Sequence, residues 1–300
     1  MCDKSVINAT SKYFTDNLEK NPHKRFVSGE RVKAPFYNQP CEELAKCLLG
    51  KILVRQLSNG SVLRGMIVET ESYLGGEDLA SHSCGGRETP ANKPMFMSPG
   101  TAYVYFTYGM YHCFNISSKG EGAAVLLRAV QPIEGIEEMQ RRRKQFMENM
   151  YAKRRAKRGL ENNIKASLYQ DKKITELCNG PSKLCISFDI DIASCNKCDL
   201  VKSDSLWIEY GADGTASEPI KIVEAPRIGI DSAGPIWANK LLRFYIFGSD
   251  FVSRRNKACE ENLPSYLKIQ SAKSSFPSPL DSGFSSRISV APRSYRSFYK

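Results

Sequence analysis

Short apolar runs with a strand-like pattern outnumber stretches with a helical period along this chain. Strand-like runs are KILVRQL and SVLRGMIVETE, then TAYVYFTY, HCFNISS and AAVLLRAV, and later LWIEY, IKIVEAPRIGI and LLRFYIF. Short turn signals join neighbours: Asn59-Gly60 between the first two, Gly109 and then KGEG between the next three. Helical patterning is confined to PCEELAKCLLG, residues 133 to about 155, and a short stretch opening at GPSKLC. In the first of these, Pro40 and the acidic pair Glu42 and Glu43 suit a helix start, and Cys41, Leu44, Cys47 and Leu48 form an expected apolar stripe. Tight turns between consecutive strands predict an α+β fold: a single domain with a curved, mainly antiparallel β-sheet and flanking helices.

Composition adds boundaries. Residues 1–34 are polar and aperiodic and read as a flexible arm. From Pro264 onward the chain holds eleven serines, four prolines and one acid, so 256–300 is expected to be a Ser/Pro-rich disordered tail, leaving 35–255 as the folded unit. At 41% hydrophobic, 300 residues suffice for a packed core, and no run of 18 apolar residues is present to cross a membrane. The start, MCDKSVINATSKYF, lacks the apolar segment of a secretory signal, so the ten irregularly spaced cysteines are expected to be free thiols.

Charge is more informative in its place than in its size. Of the net charge of +11, residues 141–173 carry +9, from twelve Lys or Arg against three acids. A nearly neutral body with one basic insert points to a polyanion such as nucleic acid, and KRRAKR at 153–158 also reads as a nuclear-import signal. The bland alternative is a solvated helix face. CNKC at 195–198 has the spacing of a zinc knuckle, but Cys178 and Cys185 make a poor first pair, and no metal is expected. No phosphate loop, nucleophile elbow or dinucleotide fingerprint is present.

What remains is VETESYLGGEDLASHS, residues 68–83. Glu69 and Glu71 lie two apart on a strand and so share a face, with Tyr73 next on that face and His82 beyond. In GTAYVYFTYGMYHCFNISS, Tyr103 and Tyr105 share one face, while Val104, Phe106 and Tyr108 share the other. Tyr103 and Phe106 are expected in the core; Tyr108, beside Gly109 at a hairpin tip, is placed to enter a groove or a base stack. Asn115 interrupts an apolar alternation and needs hydrogen-bond partners if buried. Arg128 ends a buried-looking strand and needs a carboxylate, for which Glu71 and Glu69 are the candidates.

The blocks CEELAKCLLGKILVR, VETESYLG, MFMSPGTAYVYFTYGMY, LCNGPSKLC and LLRFYIFGS together resemble the alkyladenine (3-methyladenine, N-methylpurine) DNA glycosylase family, from about Gln39 to Ser253. The resemblance implies one domain built on a curved antiparallel sheet, no metal or other cofactor, and a partner that is double-stranded DNA with damaged purines. It implies that Glu71 is the catalytic base and that Arg128 helps hold the water. Tyr73, His82 and Tyr105 would sandwich a flipped base, with the His82 backbone donating to it. Asn115 would crowd the exocyclic amine of guanine, Tyr108 would wedge into the minor groove, and Met95 and Leu126 would line the DNA face; Glu69 is left structural. The expected enzyme is monofunctional and monomeric, acting in the nucleus or the mitochondrion.

This chain departs from the family pattern at Gly76 and Cys84, where proline and arginine are common, and at His112, which replaces an aromatic. Two rival classes are a catalytically silent DNA-binding relative and a zinc-dependent nucleic-acid-binding protein built on the cysteines and the basic insert.

Overall fold

A computed structural model describes residues 29–158, 171–211 and 220–263. Most of the expected arm, part of the basic insert and the Ser/Pro-rich tail from Pro264 lie outside the described residues. Within them the helices are α1 (Ala34–Tyr37), α2 (Cys41–Leu48), α3 (Ile136–Ala156), α4 (Ile174–Leu177), α5 (Pro181–Phe188), α6 (Ile192–Cys195), α7 (Gly234–Asn239) and α8 (Lys257–Glu261). The strands are β1 (Ile52–Gln56), β2 (Val62–Tyr73), β3 (Ala102–Thr107), β4 (Tyr111–Ser117), β5 (Ala124–Glu134), β6 (Leu206–Glu209), β7 (Ile222–Ala225) and β8 (Arg243–Ile246).

These strands form one eight-stranded sheet in which all strand pairs are antiparallel. Its main path runs β3-β4-β5-β2-β1-β6. The long β2 organises it. One edge of β2 pairs with β5 throughout; the other pairs with β1 over Val62–Met66 and then with β8 over Glu69–Glu71. The sheet therefore forks at the acidic end of β2. Two register shifts mark the fork: Ile67 faces Val130 and Glu69 faces Ala129, then Thr70 faces Leu127. Val68 is thus the extra residue on β2, and Arg128 is the extra residue on β5. A bulge re-aims its residue out of strict alternation, which turns Arg128 toward the glutamates.

One face of the sheet carries the main core. There, Leu44 and Leu48 of α2 and Leu184 and Phe188 of α5 pack with Leu53, Leu63, Ile67, Phe114 and Leu127. A smaller cluster on the β7–β8 branch contains Val68, Val223, Tyr245, Phe251 and Val252. On α2 the buried positions are Cys41, Leu44, Ala45 and Leu48; Cys47, placed on the stripe by the sequence reading, is exposed, because a spacing of six is about 120° off the face. The packed body also begins earlier than residue 35. Arg31 bridges Glu209, and buried Val32 donates its N–H to the Ile208 carbonyl. It extends past 255 as well, where the Tyr245 hydroxyl donates to Glu260 of α8.

Candidate active site

The site is built where β2, β5 and β8 meet. Glu71 is wholly buried, with its Cα between Leu126 of β5 and Arg243 of β8. Its Oε1 receives the Ile228 N–H at 2.9 Å and lies 3.1 Å from the Arg128 guanidinium, and its Oε2 accepts from the Tyr73 hydroxyl at 3.0 Å. Arg128 also reaches Glu69 at 3.3 Å, which confirms that both carboxylates share a face. Glu69 in turn receives Arg243 at 2.8 Å. Burial pushes the Glu69 carboxyl up, while Arg128 and Arg243 pull it down. For Arg128, burial works against the charge, but Glu71 and Glu69 outweigh it and hold the guanidinium above its ordinary value. Burial, reinforced by the Glu71 charge, pushes the Tyr73 phenol well up. Tyr73 therefore keeps its proton and is a fixed donor to Glu71.

The aromatic wall lies close by. The His82 ring stands edge-on to Tyr105, centroids 4.5 Å apart, and its Nδ1 shares a 2.7 Å hydrogen bond with the Tyr103 hydroxyl. Tyr103, expected as plain core, is buried but is thus part of this wall. Tyr105 also contacts the buried thiol of Cys113, and burial pushes both of these groups up. Asn115 is buried, and its Nδ2 donates to the Tyr103 carbonyl at 3.1 Å, which satisfies the partner requirement and fixes the side chain. Asn92 braces the loop that bears His82, donating to the carbonyls of His82 and Arg87.

Tyr108 is held differently. Tyr108 and Gly109 both have positive φ, +51° and +65°, and the Met110 N–H closes the turn onto the Thr107 carbonyl. This hairpin conformation suits Asn-Gly and strains an aromatic. Yet Tyr108 is 85% exposed, so no packing compensates for the strain. Phe106, expected in the core, is 53% exposed, with its ring against His112 near the hairpin tip. Met95 and Leu126, expected on a DNA-facing surface, are 3% and 4% exposed. Met95 packs behind Tyr103 with Ala124, and Leu126 pairs with Asn115 and Glu71, so both support the site from within.

A pair of residues that pattern reading missed ties this site together. Asp78 and Arg227 are wholly buried and bidentate, at 2.6 and 2.8 Å. Arg227 also donates to the Ser72 carbonyl and lies 4.7 Å from the Tyr73 ring centre. Asp78 accepts from the N–H groups of Leu74 and Ala80, setting the start of the loop that carries His82. The only sequence signal was a charged residue in each of two turn-rich stretches. Gly76, one of the departures, lies against the Cys84–Gly86 turn: a Cβ there would meet the Gly86 nitrogen at 3.1 Å. Among the described residues no group of three or more His, Cys, Asp or Glu is arranged to hold a metal, and Cys178, Cys185 and Cys195 are buried in the core.

Burial lowers the His82 pKa from its ordinary 6.5. A depressed imidazole binds fewer protons in the folded state than in the unfolded one, so stability rises with pH through the window below 6.5 and falls on acidification. The expected result is that native protein loses stability relative to His82→Gln as the pH drops below about 6.5. Urea midpoints measured from pH 7.5 to 5 test this; a constant difference between the two proteins would place the proton elsewhere.

A family model described as methylpurine-DNA glycosylase matches residues 35–250. The chain is 47% identical over 232 residues to a DNA-3-methyladenine glycosylase of Mus musculus, an alignment covering 77% of this chain and 63% of that protein. To a DNA-3-methyladenine glycosylase of Homo sapiens it is 47% identical over 232 residues, covering 77% and 71%. To a Clostridium perfringens (strain SM101 / Type A) protein it is 42% identical over 227 residues, covering 75% of this chain and 100% of that one. The chain thus spans somewhat under two thirds of the mouse protein's length.

Proposed function

The chain belongs to the methylpurine-DNA glycosylase family, and from that membership we propose that it is a monofunctional DNA glycosylase of base excision repair, a monomer that extrudes a damaged purine from duplex DNA and hydrolyses its N-glycosidic bond. The observation that carries this reading is the Glu71 carboxylate. Of roughly four lone-pair positions on a carboxylate, two accept hydrogen bonds, from Ile228 and Tyr73, and Arg128 adds an ion pair at 3.1 Å. The carboxylate keeps capacity to accept from a water.

The chemistry follows from the residues. An extruded base, held by Tyr73, His82 and Tyr105, leaves its sugar carbon over Glu71. Alkylation at N3 or N7 makes the purine cationic, which favours the aromatic faces. For such a cationic purine the C–N bond breaks with its electron pair neutralising the base, a neutral purine such as hypoxanthine taking a proton from solvent as it leaves, and the anionic carboxylate stabilises the oxocarbenium-like sugar. Glu71 takes a proton from the water as its oxygen bonds to the sugar carbon. The products are the free base and an abasic site. No lysine stands in the Glu71 or Arg128 blocks to form a Schiff base, in keeping with an intact strand. Asn115, fixed by the Tyr103 carbonyl, crowds the exocyclic amine of guanine. The substrates are 3-methyladenine, 7-methylguanine, hypoxanthine and ethenoadenine, acted on in the nucleus, where KRRAKR would direct the chain. Duplexes carrying each lesion, incubated with the protein and then treated with alkali, should show strand breaks only after base release. Absence of alkali-labile sites in all four would overturn the proposal.

Tyr108 is the wedge that fills the gap left by the base. Its strained, uncovered ring is the kind of conformation that costs about 1–3 kcal/mol and persists at functional sites. Tyr108→Asn should therefore fold at least as stably as the native chain, since Asn-Gly suits the turn. It should bind lesion duplex roughly 5- to 150-fold more weakly, the scale of one lost stacking contact. Undamaged duplex should be affected much less. Equal losses on both DNAs would assign Tyr108 to general contact rather than to the gap.

A further inference from the structure

We propose that the outer half of α3 is a second DNA-binding surface, a track for the phosphates of undamaged duplex alongside the Tyr108 hairpin; it rests on the DNA reading above. Most basic residues of this helix and of the turn after it fall into two groups. The inner ones are consumed by the fold: Arg141 and Arg142 pair with Glu138, Arg142 also with Asp189, and buried Arg143 donates to the Leu177 carbonyl at 2.9 Å. Met139 beside them is buried. The basic segment therefore begins within a packed helix of the domain.

The outer residues have a different setting. Lys153, Arg154, Lys157 and Arg158 are all exposed, and no acidic side chain among the described residues pairs with them. Their spacing, i, i+1, i+4 and i+5, gathers them on one side of the helix. The turn continues past Ala156, since Lys157 donates its N–H to the Lys153 carbonyl and Arg158 to that of Arg155. At 100° per residue, Phe146, Lys153 and Lys157 fall within about 20° of one line. Phe146 lies against Tyr111, centroids 5.7 Å apart, and Tyr111 pairs with Thr107 beside the turn that carries Tyr108. The cationic stripe thus prolongs the side of α3 that faces the wedge. Lys153 and Lys157 lie about 10 and 17 Å beyond Phe146 along the axis. That corresponds to roughly three to five base pairs of duplex at 3.4 Å each.

A chain of phosphates is the partner that fits: several cations in a row without acidic partners among the described residues, and a hairpin at one end placed for the groove. Such a surface supplies sequence-independent binding that is released by salt, which is what a search along undamaged DNA requires. Cations at a helix C-terminus also favour the helix itself, but that role would leave DNA binding untouched.

The test uses the full chain with Lys153→Gln, Arg154→Gln, Lys157→Gln and Arg158→Gln together, and measures binding to an undamaged duplex across a salt series. At about 0.9 per phosphate, loss of four contacts should flatten the slope of log K against log salt by roughly 3.6 units. The single-turnover rate on saturating lesion duplex should not change. Lys153→Glu with Lys157→Glu should weaken undamaged-duplex binding at low salt further per residue changed, by adding repulsion. Parallel lines for native and quadruple-variant proteins, with circular dichroism showing both folded, would overturn the proposal and leave import as the role of KRRAKR. A native protein that releases no base from any lesion duplex would refute the glycosylase reading, while the salt slopes would still decide whether this surface binds DNA.

Discussion

Replacing Glu71 by glutamine is expected to lower single-turnover base release by about 10²- to 10⁴-fold, the usual scale for removing a general base, while lesion-duplex binding survives. The amide would keep the shape and an oxygen to accept from Ile228 or Tyr73, but it could neither take a proton from water nor offset positive charge at the sugar. Arg128 would still have Glu69 at 3.3 Å, so the buried guanidinium would not be left alone. Glu69→Gln should behave in the opposite way. It removes the carboxylate that lies between Arg128 and Arg243, and breaking a buried ion pair from one side costs about 3–5 kcal/mol. Its chemical step, measured below the unfolding range, should fall far less than that of Glu71→Gln. A Glu71 variant that still releases base while the Glu69 variant is dead would reverse the two roles.

Asp78→Asn is expected to destabilise the protein by about 3–5 kcal/mol, because it leaves the buried Arg227 guanidinium without a counter-charge. The effect should reach the site, since Arg227 backs the Tyr73 ring and Asp78 sets the loop that leads to His82. Urea unfolding reads the first effect as a lower midpoint at unchanged m-value. The second appears as weaker lesion-duplex binding at temperatures where the variant is folded. Arg227→Met should cost a comparable amount, and the double variant Asp78→Asn with Arg227→Met should cost less than the two singles added together, with a coupling of roughly 2–3 kcal/mol. Strict additivity would mean that the two side chains stabilise independently and that their pairing is incidental.

What the sequence by itself determined is what local periodicity encodes. Strand-like apolar runs placed β1 to β4, β6 and β8 close to their observed limits, and Asn59-Gly60 and Gly109 marked turns, while β5 runs on to Glu134, four residues past its expected end and into the expected helix. A period of two put Glu69 and Glu71 on one face, because side-chain direction on a strand depends only on parity. Tyr108 beside a glycine at a hairpin tip was legible for the same reason. Parity fails where a strand is irregular or where nothing packs beneath it. The bulge that turns Arg128 toward both glutamates arises from pairing with a strand more than fifty residues away in sequence, so no window around Arg128 contains it. Phe106 obeys its alternation yet is exposed, because burial depends on tertiary packing, which parity does not specify.

Charge was legible in amount but not in use. The run 141–158 reads as one basic block; Glu138 pairs locally with Arg141 and Arg142 on the same helix, whereas tertiary contacts bind Arg142 to Asp189 and Arg143 to the Leu177 carbonyl and leave Lys153, Arg154, Lys157 and Arg158 exposed. The Asp78–Arg227 pair spans 149 positions and carries no motif. A buried ion pair is selected by complementary geometry in three dimensions, and one-dimensional spacing holds no trace of it. The carboxylates and the wedge could therefore be found in the sequence, while the groups that aim them were decided only when distant segments met.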